Sequence, residues 1–507
     1  MEKINSIYRY HQHTSYERRK MAGHRLDWQN QPSVCKEYNG IDPIVLPDNI
    51  PSMSLDIFKI LKKGDPGQGL PHMDLEQLSV ILGLTYTFTA RASQGDDFFY
   101  YRSAASAGAL YPTEIYIVTG GVKGLDDGLY HFGIHGHCLT RLRTGDLSGF
   151  VAGHLIPPSG ALPVITFLFT SIFFRSSWKY RERAYRYHLL DTGHVIENLS
   201  IAMTALGIPF RISYDFADRN INRLAGLDDQ KEVSLALAYI PGLKSSENSC
   251  MPMISLLPDD IKNAGIVSDR EIEYPAILEI HEAGKPAVPK GNNMNDISDH
   301  AGLSPETWAA LPDRLPADKT VTYPDCLFKR RSRRNFVTAP MDRKIFFSLL
   351  EALCMDDTPD PHTRSGYSHS FYTGFITANI DGFDQGIYIL DREQRRFGLV
   401  KKGDFIERMA HACLDQMWLK SANIHFLFMS DLEQLEEKRG PRGYRYAMMG
   451  AGCMGERIYL LAASLGLGCC GIGAFYDQEA ADIIGLTNAS RLLYLVAVGR
   501  TSPHPGY

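Results

Sequence analysis

The sequence predicts an α+β protein in which two copies of one domain pack together as a pseudo-dimer within a single chain. A long segment of the first half recurs in the second half. Each copy has the same succession of helix, hairpin, apolar strand, long helix, loop and strand, and its long helix is apolar on nearly all faces. Such a helix needs a second surface to cover it, which favours paired domains over independent ones.

The repeat is clearest in the long helices. YRYHLLDTGHVIENLSIAMTALGI begins at Tyr185 and YRYAMMGAGCMGERIYLLAASLGL begins at Tyr444, an offset of 259 positions. The same offset continues without a gap to the apolar strands LALAYI and YLVAVG. Upstream, an offset of 258 pairs the turns GLDDGLY (124–130) and GFDQGIY (382–388). These matches predict equivalent helices over 183–206 and 442–465.

The repeat also gives the domain boundaries. We expect one domain over residues 1–243 and a second over 320–507. Residues 244–319 are rich in Pro, Asn, Asp and Ser and are predicted to be a linker that lies on the surface. The most apolar run, ALPVITFLFTSIFF (161–174), is too short for a membrane helix, which needs roughly 20 residues, and is predicted to be a buried strand.

Composition limits the function classes. The formal net charge of −5 argues against nucleic acid as a main partner, because a phosphate backbone demands a broad basic face. The N-terminus has charges but no apolar core and is not a secretory signal. Nine cysteines without a CxxC pair indicate a reducing compartment, and we expect a cytoplasmic protein that does not enter a membrane.

A dense cationic motif occurs in the second copy alone. Residues 329–336 read KRRSRRNF, whereas the matching residues 61–68 of the first copy read LKKGDPGQ. Arginine forks and a serine hydroxyl are donors suited to phosphate oxygens, which makes candidates of Arg330, Arg331, Ser332 and Arg334. By charge alone, a solvated face or a nuclear signal would be the more common explanation, but the restriction to one copy favours a binding role.

The loop after the long helix differs in the same direction. The second copy has CCGIGAF, and its residues Gly471, Ile472, Gly473 and Ala474 would let the backbone approach a flat ligand. The first copy has FRISYDF over 210–216, with larger residues at the glycine positions. The end of the last strand also differs, because Arg500 of the second copy is matched by Pro241.

A further difference points the other way. The first copy contains SAASAGALYPTEIYIV, whose small residues form a candidate ligand-facing loop: Ser106, Ala107, Gly108, Ala109, Leu110 and Pro112. In the second copy Tyr367 replaces Ala109 and Ser370 replaces Pro112. Neither copy is complete, but together they contain one of each feature.

These residues resemble a known family. RRSRRNF resembles the flavin-phosphate motif of the FMN-dependent nitroreductase superfamily. SAGALYPTEIYIV, GLDDGLYHF and KYRERAYRYHLLDTGH are similar to its SagB-type dehydrogenases, the azoline oxidases of thiazole/oxazole peptide biosynthesis. The resemblance covers most of the chain outside the linker. It implies two nitroreductase-like domains in tandem and clefts at their interface that bind FMN with residues from both copies.

The resemblance also implies roles. One cleft would combine the cationic motif, the 471–474 loop and Arg500 with the small-residue loop of the first copy. There the Ala474 amide would contact flavin N5 and Arg334 the N1–O2 edge. The other cleft would be inactive, because Asp65 would lie where phosphate sits. Lys179 and Tyr180 match the family's catalytic Lys-Tyr pair, and a lysine can act as a base when burial lowers its pKa. The alternative for Lys179 is a water-exposed helix face.

The expected substrate is a small molecule or a peptide, with NAD(P)H as one candidate electron donor. Two other functions remain open: a general NAD(P)H-dependent reductase of nitro compounds, quinones or enones, and a non-catalytic scaffold with or without flavin. The histidine-rich HFGIHGHC (131–138) has metal-like density, but its place on a hairpin favours no metal site, and none is predicted. No GxSxG, Walker or HExxH motif is present.

Overall fold

The structure is a computed structural model of the 507-residue chain. It describes residues 3–21, 23–48, 50, 53, 55–62, 70, 72–94, 97–245, 253–285, 302–312, 321–355 and 367–502. Of the first-copy residues 61–68, which match the cationic motif, Leu61 and Lys62 are described. The others, including Asp65, lie outside the described residues.

Fifteen α-helices occur in the described ranges. They are α1 Ile7–His13, α2 Ile57–Leu61, α3 Leu75–Thr85, α4 Ser148–His154, α5 Phe173–Tyr180, α6 Ala184–Leu206, α7 Asp218–Ala225, α8 Asp259–Ala264, α9 Pro275–Ala283, α10 Tyr323–Lys329, α11 Arg343–Leu353, α12 Ile406–Ala412, α13 Leu432–Arg439, α14 Gly443–Ser464 and α15 Asp477–Ile484.

Eighteen strands accompany them in the same ranges. They are β1 Ile44–Val45, β2 Met73–Asp74, β3 Phe88–Gln94, β4 Asp97–Arg102, β5 Thr113–Thr119, β6 Val122–Lys123, β7 Gly128–Gly133, β8 Cys138–Thr144, β9 Ala161–Ile172, β10 Arg211–Ser213, β11 Glu232–Ser245, β12 Trp308–Ala310, β13 Tyr372–Thr377, β14 Gly386–Asp391, β15 Arg396–Lys402, β16 Ile424–Asp431, β17 Gly468–Ile472 and β18 Ser490–Gly499.

The two copies form two seven-stranded antiparallel sheets with the same topology. The first has the order β1-β8-β7-β5-β9-β11-β10, and the second has the order β12-β15-β14-β13-β16-β18-β17. The long apolar run predicted to be a strand is β9, which lies inside the first sheet between β5 and β11. The α+β fold with two tandem domains is therefore confirmed.

The long helices α6 and α14 cross at two glycines that the repeat pairs. A Cβ atom on Gly193 would lie 2.1 Å from the carbonyl oxygen of Met449, and one on Gly452 would lie 2.2 Å from that of Leu190. Only glycine permits so close an approach of two helix backbones. Both helices are buried along almost their whole length, as their apolar faces predict.

Buried ion clusters repeat around this crossing. Arg183 and Arg186 of the first copy bond the carboxylate of Asp477 in the second copy. Arg442 and Arg445 of the second copy bond that of Asp218 in the first in the same way. Since each carboxylate is buried against two arginines from the other copy, the two domains form one interlocked unit.

Part of the predicted linker belongs to this unit. His11 on α1 lies 3.0 Å from the hydroxyl of Tyr444, and His281 on α9 lies 3.2 Å from that of Tyr185, which the repeat pairs with Tyr444. Helix α9 therefore takes the place in the second copy that α1 takes in the first, and its Ile277 is buried in the core. Strand β12 likewise extends the second sheet as β1 extends the first.

In the described ranges, the structure contains no helix long and apolar enough to cross a membrane.

Candidate functional site

The small-residue loop of the first copy has an unusual backbone. Gly108, Ala109 and Tyr111 have φ angles of 64°, 54° and 48°, in the left-handed region that non-glycine residues seldom adopt. The loop lies against the predicted catalytic pair, because a Cβ atom on Gly108 would be 2.6 Å from the Tyr180 hydroxyl and 3.3 Å from the Lys179 amine. The structure thus brings together two features that are far apart in sequence.

Helix α5, which ends at Tyr180, is tied to this loop by an ion pair. Arg175 donates to the carbonyl of Tyr111 at 2.9 Å and to the carboxylate of Glu114 at 2.5 Å. Although burial opposes it, the Arg175 guanidinium lowers the pKa of Glu114 to about 2. The repeat places Gln434 and Tyr372 at these positions in the second copy, so this support exists in the first copy alone.

Lys179 and Tyr180 are both half-buried. The lysine nitrogen lies 5.5 Å from the centre of the Tyr180 ring. Burial raises the pKa of Tyr180 above its usual value, so the phenol is protonated at neutral pH and can donate a hydrogen bond.

Arg330 crosses from the second copy to the first. Its Nε donates to the carbonyl of Ser103 at 2.5 Å and its Nη2 to that of Arg102 at 2.7 Å. The guanidinium is buried, and Glu456 lies 3.8 Å from it. The remaining nitrogen, Nη1, is buried without a hydrogen-bond partner in the described part of the chain. A buried cationic donor left free in this way is suited to an anionic ligand.

Arg331 is engaged differently. Its two terminal nitrogens donate to Thr89 and to the carbonyls of Phe328 and Arg330. Burial, with the neighbouring cations Arg330 and Arg333, lowers its pKa. This arginine therefore anchors strand β3 of the first copy, and fewer of its donors remain for a ligand.

A cationic cavity of about 310 Å³ adjoins the motif. Its lining residues are Lys329, Arg330, Arg331, Arg333, Asn335, Tyr459, Ala463, Gly466, Leu467, Cys469, Thr501 and Ser502. Ser332 lies beside it, 2.8 Å from the hydroxyl of Tyr459. Of the predicted ligands, Arg330 and Arg331 line this cavity, whereas Arg500 does not, and its neighbours Thr501 and Ser502 line it instead.

Arg334 is exposed on the other side of the motif. Its guanidinium lies 6.0 Å from the centre of the Trp418 ring and is close enough to the Tyr180 phenol to favour the ionised form of that group. Arg334 of the second copy therefore lies near the Tyr180 phenol of the first, so these two predicted site residues, one from each copy, are brought together.

The 471–474 loop starts within the last two residues of β17, and both copies support it. The Gly471 amide donates to the Tyr459 hydroxyl at 2.7 Å. The Gly473 carbonyl accepts from Arg183 at 3.0 Å. A Cβ atom on Gly473 would lie 2.7 Å from the Tyr187 ring, and one on Gly471 would lie 1.8 Å from the Tyr494 hydroxyl. These two glycines are thus required by packing beneath the loop.

A buried polar network continues beneath the loop. His194 of the first copy lies 2.6 Å from a carboxylate oxygen of Glu456 and 3.1 Å from the Tyr494 hydroxyl, both in the second copy. Since Glu456 also lies beside Arg330, this network joins the cationic motif to the loop. Sequence reasoning missed these residues, although Glu197 and Glu456 are paired by the repeat.

In the pseudo-symmetric cleft, the positions that correspond to Gly473 and Ala109 carry large side chains. Tyr214, which the repeat places at the position of Gly473, and Tyr367, which replaces Ala109, are both buried, with ring centres 6.4 Å apart. Tyr446 lies 5.0 Å from Tyr214, and its hydroxyl donates to Asp215 at 2.5 Å. Where the candidate cleft has the small residues Gly473 and Ala109, the pseudo-symmetric cleft therefore has two contacting tyrosines.

The histidine-rich hairpin holds no grouped ligands. His131 bonds Glu114 at 2.8 Å, and His137 lies 2.7 Å from the Ser79 hydroxyl. Within the ranges that the structure covers, no group of three or more His, Cys, Asp or Glu side chains is arranged to hold a metal ion.

Residues of both copies meet around the candidate site. Arg330 of the second copy has a buried free donor suited to an anionic group, and Gly108 of the first copy packs closely against the Lys-Tyr pair. Fold and candidate site together describe a two-domain protein whose candidate residues come from both halves.

Comparison with known proteins agrees with this description. The profile of the nitroreductase family matches residues 159–240 and 327–500, about half of the chain. The chain therefore belongs to the nitroreductase family. A crystal structure from Anabaena variabilis, described as a nitroreductase, covers 99% of this chain and 100% of its own at a TM-score of 0.77 and 24% identity, which shows a shared two-domain fold.

Two relatives match parts of the chain. A protein of Methanocaldococcus jannaschii named as a nitroreductase is 29% identical over 192 residues, covering 37% of this chain and 95% of the relative. The trifolitoxin-processing protein of Rhizobium leguminosarum bv. trifolii is 30% identical over 133 residues, covering 25% of this chain and 36% of the relative. The chain thus spans about a third of that second protein.

Proposed function

We propose that this protein is an FMN-dependent oxidoreductase with one working cleft, similar to the SagB-type dehydrogenases, and that it oxidises azoline rings in a peptide substrate. The observation that carries the proposal is the crossed asymmetry of the two clefts. One cleft combines Gly108 and Ala109 of the first copy with Gly473 and the arginines of the second. The other has Tyr367 and Tyr214 at the matching positions.

Residues of both copies would hold FMN. Arg330, with its buried free donor, and Ser332 would bind the phosphate, and Arg334 would lie at the pyrimidine edge of the ring. The backbone of the 471–474 loop would face the ring from the second copy, and the Ser106–Pro112 loop would form the opposite wall. When bound, FMN supplies two-electron redox chemistry that side chains lack.

The Lys-Tyr pair would act on the substrate. Oxidation of an azoline removes a carbon-bound proton together with a hydride equivalent. Lys179 would take the proton at its Nζ atom, and the Tyr180 hydroxyl would orient the ring by donating a hydrogen bond. The proposal is supported by the contact of both side chains with the Gly108 wall and by the Arg175–Glu114 pair that holds their helix.

One relative is named for a processing role. The trifolitoxin-processing protein acts, by its name, on trifolitoxin. A peptide substrate for this chain is the class that the following experiment tests.

The test uses the full chain and a synthetic peptide with one thiazoline ring. We expect a yellow protein that converts the ring to a thiazole, detected as the loss of two hydrogen atoms by mass spectrometry. A flavin that is bleached by NADPH while the peptide stays unchanged would instead indicate the general reductase. Protein that remains colourless with added FMN would indicate a flavin-free scaffold and overturn the proposal.

A further inference from the structure

A buried carboxylate supports the first-copy wall of the cleft. Asp191 on α6 accepts a hydrogen bond from the Ser106 hydroxyl at 2.6 Å and from the Ala107 amide at 3.2 Å. The Ser106 oxygen in turn accepts from the Tyr111 amide at 2.9 Å. The carboxylate thus fixes both ends of the left-handed stretch between Ala107 and Tyr111.

That stretch needs such support. Left-handed φ angles at Ala109 and Tyr111 are unfavourable for residues with a side chain, and they persist only where the surroundings impose them. The bend presses Gly108 against Tyr180 and Lys179. A loop released from Asp191 would relax toward ordinary angles and move away from the pair.

The environment of Asp191 favours a proton near neutrality. Burial raises the pKa of Asp191 to about 7, while the bonds from Ser106 and Ala107 oppose that rise. Among the described residues, the carboxylate raises the pKa of the phenols of Tyr111, Tyr180 and Tyr494, from the loop, α5 and β18. Burial outweighs the two hydrogen bonds, so this carboxyl holds its proton more tightly in the packed loop than it would in water.

The repeat shows that this feature is specific to one cleft. The residue equivalent to Asp191 is Gly450. A Cβ atom there would lie 2.6 Å from the Phe371 ring and 2.7 Å from the Tyr367 ring, so the glycine makes room for the tyrosine that fills the other cleft.

We propose that Asp191 is a positioning residue that holds the Ser106–Pro112 wall against the Lys-Tyr pair. The effect of Asp191 on turnover rests on the proposed function. Its effect on the conformation of the Ser106–Pro112 loop does not, and can be measured without flavin or substrate.

The first experiment therefore uses protein without flavin. Hydrogen exchange of the segment 104–112 is compared between the wild type and Asp191→Asn at the same pH, corrected for intrinsic rates. We expect protection in the variant to be at least about threefold lower, because the amide has one acceptor oxygen instead of two.

Thr192→Val is the matched control. Thr192 follows Asp191 on the same helix, and its hydroxyl is buried 3.0 Å from that of Thr113. This variant loses a buried hydrogen bond of the same helix but should keep the wild-type protection of the loop. If Asp191→Asn also keeps that protection, the inference is wrong.

The second experiment measures kcat and KM for the thiazoline peptide at saturating FMN. We expect Asp191→Asn to lower kcat at least about tenfold and to change KM less than about threefold, because the wall beside the Lys-Tyr pair is displaced while the rest of the site is kept. A flavin-loaded Asp191→Asn variant with the wild-type kcat would overturn the inference alone. Protein that binds no flavin would instead refute the proposed function and leave the exchange result to decide the inference.

Discussion

Replacement of Arg330 by alanine should weaken FMN far more than riboflavin, which lacks the phosphate. Two of the three guanidinium nitrogens of Arg330 are used by the carbonyls of Ser103 and Arg102, which leaves the buried Nη1 for a phosphate oxygen. One hydrogen bond from a charged donor contributes roughly 1.5–3 kcal/mol, which corresponds to about a tenfold to a hundredfold change in dissociation constant.

The variant also loses structure, and the design separates the two effects. Without Arg330 the carbonyls of residues 102 and 103 lose their donors, and Glu456 loses a nearby cation. This damage lowers the affinity for both flavins equally, so the ratio of the FMN and riboflavin dissociation constants reports the phosphate contact. The ratio is measured by fluorescence titration of the flavin-free protein.

Arg331→Ala is the matched control. Its two terminal nitrogens donate to Thr89 and to two carbonyls, so it should lower stability while changing the ratio by less than about threefold. Equal losses of FMN and riboflavin affinity in Arg330→Ala would refute the phosphate assignment. A larger change of the ratio in Arg331→Ala than in Arg330→Ala would indicate that the phosphate binds on the Arg331 side of the motif.

Two further substitutions test the opposite wall. Gly108→Leu should reduce flavin content and turnover at least about tenfold, because its side chain would meet the Tyr180 hydroxyl. The control Gly207→Leu, at a similar φ of 69° but with open space around it, should reduce stability alone. Equal flavin loss in both variants would contradict the placement of Gly108 in the cleft. Lys179→Met should slow peptide oxidation about a hundredfold while the protein stays yellow, whereas Lys438→Met, on the exposed end of α13, should keep its rate. Equal effects of the two lysine changes would refute the assigned cleft.

The sequence was sufficient for the fold because the repeat preserves what packing demands. The buried faces of α6 and α14 and the apolar strands at β9 and β18 follow from periodicity alone. The glycine crossing was also readable, since Gly193 and Gly452 are paired by the offset. The sequence matches between the two copies did not reveal that α9 is the counterpart of α1. Its sequence has little in common with α1, and its role follows from the matching contacts of His11 and His281 with the paired tyrosines.

The site was predictable in its parts but not in its connections. The exchange of Asp191 for Gly450 is visible in the aligned repeats, yet the partners of Asp191 lie about eighty residues upstream. Likewise Arg175 and Glu114 each look unremarkable in sequence, and the fold is needed to show that they hold α5 to the loop. Contacts between distant segments depend on tertiary packing, which local patterns do not encode.

The duplication explains why the two clefts could diverge. In a symmetric homodimer each substitution changes both clefts, so a tyrosine that fills one would fill the other. In this chain the positions are independent, and Tyr214 faces Tyr367 where the candidate cleft has Gly473 and Ala109. The two tyrosines add buried aromatic surface to the interface, while the candidate cleft keeps small residues at both positions.

This reasoning predicts one FMN per chain, and it predicts that opening the filled cleft will not raise the number. The double variant Tyr214→Gly, Tyr367→Ala should lose about 3–5 kcal/mol of stability per removed ring. The loss at Tyr214 is reduced by the desolvation cost of its hydroxyl, which is buried without a partner in the described structure. Flavin released by heat and quantified against chain concentration should stay near one, because Gly64, Asp65 and Pro66 stand where the second copy has Ser332, Arg333 and Arg334. If the folded double variant binds two, the tyrosines alone excluded the flavin and the arginine motif is not required for binding.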